Sequence, residues 1–244
     1  MVDPSRFPQT RRSVIVAAAS ADAGERERAW QSIVAAYWKP AYKYIRLKWP
    51  KPVEDAEDLT QGFFAAAIEK SFLRSYDAAK GSFRNFLRVA IDGYVANQDK
   101  AARRLKRGGE ATILSLDFQT AEGEFRRYEI PDGISMEDYF HKEWVRGLFG
   151  LAVERLRQEC EAAGKRVHFE MFRRYDLSDP QEDGKASYDA LAAEYGLPVT
   201  TVTNHLAWAR RQFRRAVLDI LREITANDRE FRSEARAALG VDAP

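Results

Sequence analysis

The segment Glu54-Asp55-Ala56-Glu57-Asp58 sets four carboxylates side by side. Acidic residues in the first turn of a helix complement its dipole. Carboxylates can also bind Mg²⁺, as in a metal-dependent nuclease, but neighbours on one helical turn fan outward, and no distant acidic motif is evident to complete a cage. Opposite in sign are two basic tracts, Lys100, Arg103, Arg104, Lys106 and Arg107, and then Arg210, Arg211, Arg214 and Arg215. Their spacing suits contact with phosphates.

The stretch Tyr188–Leu206 has the layout of a helix-turn-helix. Ala192 is small where two helices would cross, and Gly196 can take the positive φ of the turn. Leu191, Leu197 and Val202 close a small core, and Pro198 suits the first turn of the second helix. That helix would present Thr200, Thr201, Thr203, Asn204 and His205 outward, where they can reach base edges or phosphates. The plainer alternative is a helical hairpin whose arginines solvate one face.

Little else suggests chemistry. His141, His168 and His205 are scattered, with no pair at the i, i+4 spacing of a helical metal site, and Cys160 is the single cysteine. No disulfide, Cys-based zinc site, cofactor or catalytic group is expected, and a reducing cytoplasm is the expected compartment. Arg11-Arg12 and the apolar run Val14–Ala19 imitate an export signal, but the run is too short and Asp22 and Glu25 follow at once. No membrane span is expected.

The elements that must position these residues are helical from end to end. One helix starts at Asp22 and carries Trp30, Ile33, Val34, Tyr37, Trp38, Ala41 and Ile45, with Pro40 expected to bend or break it. A second follows Trp49-Pro50-Lys51-Pro52 and carries Leu59, Phe63, Phe64, Ala67 and Ile68. A loop over 71–82 leads to a third, with Phe83, Phe86, Leu87, Ala90, Ile91 and Tyr94 on its buried side. The pattern lapses over 108–135, which reads as an interdomain linker. It returns with Tyr139, Phe140, Trp144, Leu148, Leu151, Ala152 and Leu156, and again with Val167, Met171 and Phe172. The expected fold is all-α, two helical domains joined by a flexible linker. The divisions are an N-terminal extension 1–24, a first domain 25–107, the linker 108–135, a second domain 136–223 and a tail 224–244. A chain of 244 residues has room for both domains, and Lys+Arg 39 against Asp+Glu 37 leaves a net charge of only +2. The charges are segregated rather than absent.

Taken in order, three segments resemble the extracytoplasmic-function (ECF) sigma factors of bacterial RNA polymerase. Asp55-Ala56-Glu57-Asp58-Leu59-Thr60-Gln61 with Phe64 is similar to the family's polymerase-binding helix. Gly81-Ser82-Phe83-Arg84-Asn85-Phe86-Leu87, ending in Arg103/Arg104, is similar to its promoter-melting loop and helix. Gly196-Leu197-Pro198-Val199-Thr200-Thr201-Val202, with Leu206 and Ala209-Arg210, is similar to its −35-reading helix-turn-helix. Phe7-Pro8, Thr10-Arg11 and Asp58-Leu59-Thr60-Gln61 further resemble a subgroup linked with serine/threonine kinases.

The resemblance implies a sigma region 2-like bundle and a region 4-like helix-turn-helix, with core RNA polymerase and promoter DNA as partners and no enzymatic activity. Glu54, Asp55, Glu57, Asp58 and Gln61 would dock on a basic-edged part of the polymerase clamp. Tyr76, Asp77, Lys80, Ser82, Arg84 and Asn85 would hold the unpaired −10 strand, with Lys100, Arg103, Arg104, Lys106 and Arg107 on nearby phosphates. Thr200, Thr201, Thr203, Asn204, His205, Arg210, Arg211 and Arg214 would bind the −35 duplex. The linker would thread toward the RNA exit path. Gly62 stands where the family usually carries an acidic residue, so a phosphate on Thr60 could restore charge to the docking side. Control would come from a kinase, an anti-sigma factor or the tail. A stand-alone helix-turn-helix regulator and a helical adaptor or anti-sigma-like protein are the alternatives.

Overall fold

In a computed structural model, the residues described are 13–69, 72–102, 115–128, 130–178 and 186–240. They contain helices and turns and no strand. In chain order the helices are α1 (Val14–Ala17), α2 (Ala23–Lys48), α3 (Val53–Glu69), a 3₁₀ turn (Phe72–Ser75), α4 (Phe83–Ala102), α5 (Phe118–Arg127) and α6 (Met136–Ala162). Then follow α7 (Arg166–Phe172), a π turn (Arg173–Leu177), α8 (Tyr188–Tyr195), α9 (Val199–Ile224) and α10 (Asp228–Leu239). None of these helices is long and apolar enough to cross a membrane.

The chain divides into two compact units, Met1–Gly147 with Leu221–Pro244, and Leu148–Ile220. In the first unit, Asp22 caps α2 by accepting from the Glu25 amide at 2.6 Å. The helix then runs through Pro40 without the break its sequence suggests. Its apolar stripe brings Ile33, Tyr37, Tyr44 and Ile45 into a core with Phe64 of α3, Phe83, Leu87 and Ile91 of α4, and Phe140 and Trp144 of α6. Tyr37 meets the Phe83 ring edge-on, with centroids 5.5 Å apart.

The sequence reads 108–135 as linker, but residues Phe118–Arg127 form α5 on the side of α2. Asp117 caps it through the Thr120 amide at 3.0 Å, and Phe118 packs against Trp38 and Tyr42. Glu122 sits nearly buried, bonded to Arg46 at 2.8 Å and to the Tyr42 hydroxyl at 2.7 Å. The Lys43 ammonium, 2% exposed, lies between Glu124 at 2.7 Å and Glu143 at 2.8 Å. Charges at such positions imitate a solvated segment in the sequence, whereas here each finds a partner, Glu122, Lys43 and Glu143 in a buried setting and Glu124 in a partly exposed one.

The tail of the sequence reading is likewise structured. Asn227 accepts from the Glu230 amide at 3.0 Å to start α10, and Phe231, Glu234 and Ala235 are buried within the first unit.

The second unit is held by Leu156, Cys160, Phe169, Met171, Phe172, Leu191, Val202, Leu206 and Ala209. Ser187 caps α8 through the Ala190 amide at 3.0 Å. Gly196 ends α8 in the left-handed region at φ +63°, its amide and that of Leu197 both returning to the Ala192 carbonyl. Pro198 lies one residue before α9, its carbonyl accepting from the Thr201 and Val202 amides. Because an L side chain is disfavoured at that φ, Gly196→Ala is expected to cost about 1 kcal/mol. Urea unfolding of the variant against the parent chain measures it.

Candidate nucleic-acid interface

α3 separates two chemistries around its circumference. Glu54, Asp55 and Asp58 are exposed and Glu57 and Gln61 half-buried, whereas Ala56, Thr60, Phe63, Phe64 and Ala67 face the core. Burial, and then the charges of Glu54 and Asp58, push the Glu57 carboxyl up from its ordinary value. The neighbouring charges make this an acidic face.

Thr60 is not on that face. It has no exposed surface, and its hydroxyl donates to the Ala56 carbonyl at 2.7 Å, a bond back to the preceding turn. A modifying enzyme reaches it only if α3 lifts from the core. Gly62 has a packing reason of its own: a Cβ there would collide with the Tyr94 hydroxyl of α4.

The turn into α4 forms an open pocket of about 310 Å³. Asp77 builds one wall, accepting from the Ala79 amide at 3.0 Å through its side chain and from the Lys80 amide at 3.0 Å through its carbonyl. Ser82 starts α4 as its cap, bonded to the Asn85 amide at 3.3 Å. Tyr76 is half-buried, its ring against Phe83 and Phe86. Lys80 is exposed at the rim, and Arg88 of α4 also lines the pocket. The Asn85 Oδ1 and Arg88 Nε atoms are buried and have no hydrogen-bond partner among the described residues. All six residues assigned from the sequence to the −10 strand therefore lie together: five line the pocket, and Arg84 stands beside it over the Trp144 ring at 5.2 Å. Arg103, Arg104, Lys106 and Arg107 fall outside the described residues, as does the side chain of Lys100.

In the second unit, Thr200, Thr203 and Asn204 are exposed along the start of α9, and Thr201 is half-buried. Two assignments change. The His205 ring stacks on His168 of α7 with centroids 3.8 Å apart, so it packs against the neighbouring helix instead of pointing outward. No third His, Cys, Asp or Glu joins them in a cluster among the described residues. Arg210 grips Asp176 with its Nη2 at 2.9 Å and Nε at 3.0 Å, a bond that raises its pKa further, and lies over the Tyr175 ring. It is a strut between α9 and the π turn. Arg211 and Arg214 are exposed.

Arg211→Ala with Arg214→Ala is accordingly expected to reduce the slope of log K against log salt for duplex DNA by about two, at roughly 0.9 per phosphate contact. Arg210→Ala should leave that slope unchanged, because Asp176 already neutralises the guanidinium. Anisotropy titrations over a salt series report both.

Sequence reasoning missed Asp176 and His168, whose partners lie on other helices, and missed the carboxylates of α10. A signal for α10 was present, since Asn227 and Glu230 have the spacing of a capping box.

Comparison with known proteins yields no match. No protein-family model fits the chain, and no curated protein and no solved structure is significantly similar to it.

Proposed function

We propose that this protein is an ECF-type sigma factor, which binds core RNA polymerase, captures the melted −10 strand and reads the −35 duplex. The observation that carries the reading is the open pocket at the turn into α4, lined by the Tyr76 ring, Asp77, Lys80, Ser82 and Asn85. An aromatic face, a cation and polar side chains around one pocket are what an unstacked base needs in order to be held. The exposed carboxylates of α3 favour a basic protein partner, and the helix-turn-helix with Arg211 and Arg214 favours duplex phosphates. No reacting group is required of this chain, because polymerase performs the chemistry.

Control by a serine/threonine kinase or an anti-sigma factor fits the same reading. Phosphorylation of Thr60 would add a charge of about −2 to a core position. In this account it therefore acts by displacing α3, not by decorating the docking face.

The test compares binding of labelled duplex promoter fragments with and without core polymerase. The reading expects weak binding alone and strong binding with core enzyme. Tight binding of duplex by the protein alone would point to a stand-alone regulator. Core binding without any gain in DNA binding would point to an adaptor.

A further inference from the structure

The most heavily engaged polar groups at the turn into α4 are held by carboxylates from the far end of the chain. Glu230 of α10, 7% exposed, accepts from the Phe83 amide at 2.5 Å, from the Tyr76 hydroxyl at 3.1 Å and from the Ala226 amide at 2.8 Å. Glu234, one turn further on and 3% exposed, pairs with the Arg84 Nε at 3.3 Å. A backbone amide at a helix start, a phenol and a guanidinium are the donors that a strand phosphate would take. Here two carboxylates with the same charge already occupy them. The base pocket beside them stays open, lined by Ser75, Asp77 and Lys80.

We infer that α10 is an intramolecular latch, whose Glu230 and Glu234 stand in for the phosphates of the −10 strand and must leave before the strand binds. The inference rests on the sigma reading of this site and adds its regulation. Two features make the latch displaceable. α10 is a short helix behind a brief bend at 225–227, and Glu230 and Glu234 tie it to Tyr76, Phe83 and Arg84. Burial also raises the Glu230 carboxyl above its ordinary value, so the closed form carries a desolvation cost. Opening frees the Phe83 amide, the Tyr76 hydroxyl and the Arg84 guanidinium from the two carboxylates.

The test uses the full chain with Glu230→Gln and Glu234→Gln together, Glu234→Gln alone as the milder variant, and Asp228→Asn, an exposed carboxylate of the same helix, as a control for charge. The probe is a fluorescein-labelled single-stranded DNA pool of random sequence, and amide hydrogen exchange over residues 76–86 is followed without DNA. The expected result is faster exchange in the Gln variants. Their affinity for the pool should rise about tenfold, the gain expected when the closed form holds at least about nine-tenths of the population. Asp228→Asn should change neither. Unaltered exchange in the double variant would overturn the latch, as would an equal gain in affinity from Asp228→Asn and Glu234→Gln. Faster exchange with unchanged, measurable DNA binding would also overturn it, leaving the strand site in place. Faster exchange with no DNA binding by any form would instead remove the strand site on which the latch depends.

Discussion

Reversing two charges on the exposed face of α3, Asp55→Arg together with Asp58→Arg, is expected to weaken binding to core RNA polymerase by about a hundredfold. Both residues are exposed, and the loss of an acidic group from the first turn of α3 costs at most about 1 kcal/mol, so the fold should survive. Their proposed task is to meet a basic surface, and placing like charges face to face costs several kcal/mol, of which about 2.7 kcal/mol corresponds to a hundredfold. Association should slow more than dissociation quickens, because long-range steering is lost first. Surface-bound core enzyme, with the variant flowed over it at two salt concentrations, separates these contributions. An unchanged on-rate would remove the acidic face from the docking surface.

Glu122→Gln is expected to destabilise the first unit by about 3 kcal/mol, because it strands a partly buried guanidinium. In the folded chain the Arg46 guanidinium, with help from the Tyr42 and Arg126 hydrogen bonds, holds the Glu122 carboxyl down at about 2, against an ordinary 4.5. A lowered pKa means that the unfolded chain binds the proton first on acidification. The contribution is therefore complete above about pH 4.5 and is lost as pH falls through about 2. Urea midpoints at pH 7 should differ between the two proteins by the full amount, and the gap should close toward pH 2. A gap that persisted at pH 2 would mean that α5 is held by packing of Phe118 and not by this pair.

Much of this architecture was legible in the chain. The stripes of α2, α3 and α4 step by three and four residues, and Gly196 marks the turn of the helix-turn-helix. Those signals are local, so a sequence displays them. The docking of α5 and α10 was not legible, even though Asn227 and Glu230 mark the start of α10, because the residues that dock them include Glu122, Glu124, Glu230 and Glu234. A carboxylate in a periodic pattern reads as solvent, and only a distant partner makes it interior. The same blindness applies to Arg210, which reads as a phosphate contact until Asp176, 34 residues away, is seen beneath it. Thr60 differs: read from the sequence as part of the docking side, it has a spacing of four from Ala56 and three from Phe63 that is that of the apolar face, where the structure puts it.

The central claim is promoter-directed initiation, and it is tested most directly by transcription. Purified protein is mixed with core polymerase on a library of random promoter sequences, and the 5′ ends of the transcripts are read. The account predicts transcripts that appear only when both proteins are present, that start downstream of a shared two-part sequence, and that diminish sharply with Asp55→Arg/Asp58→Arg. No transcript above the core-only background, where a control sigma factor initiates on the same library, would contradict it.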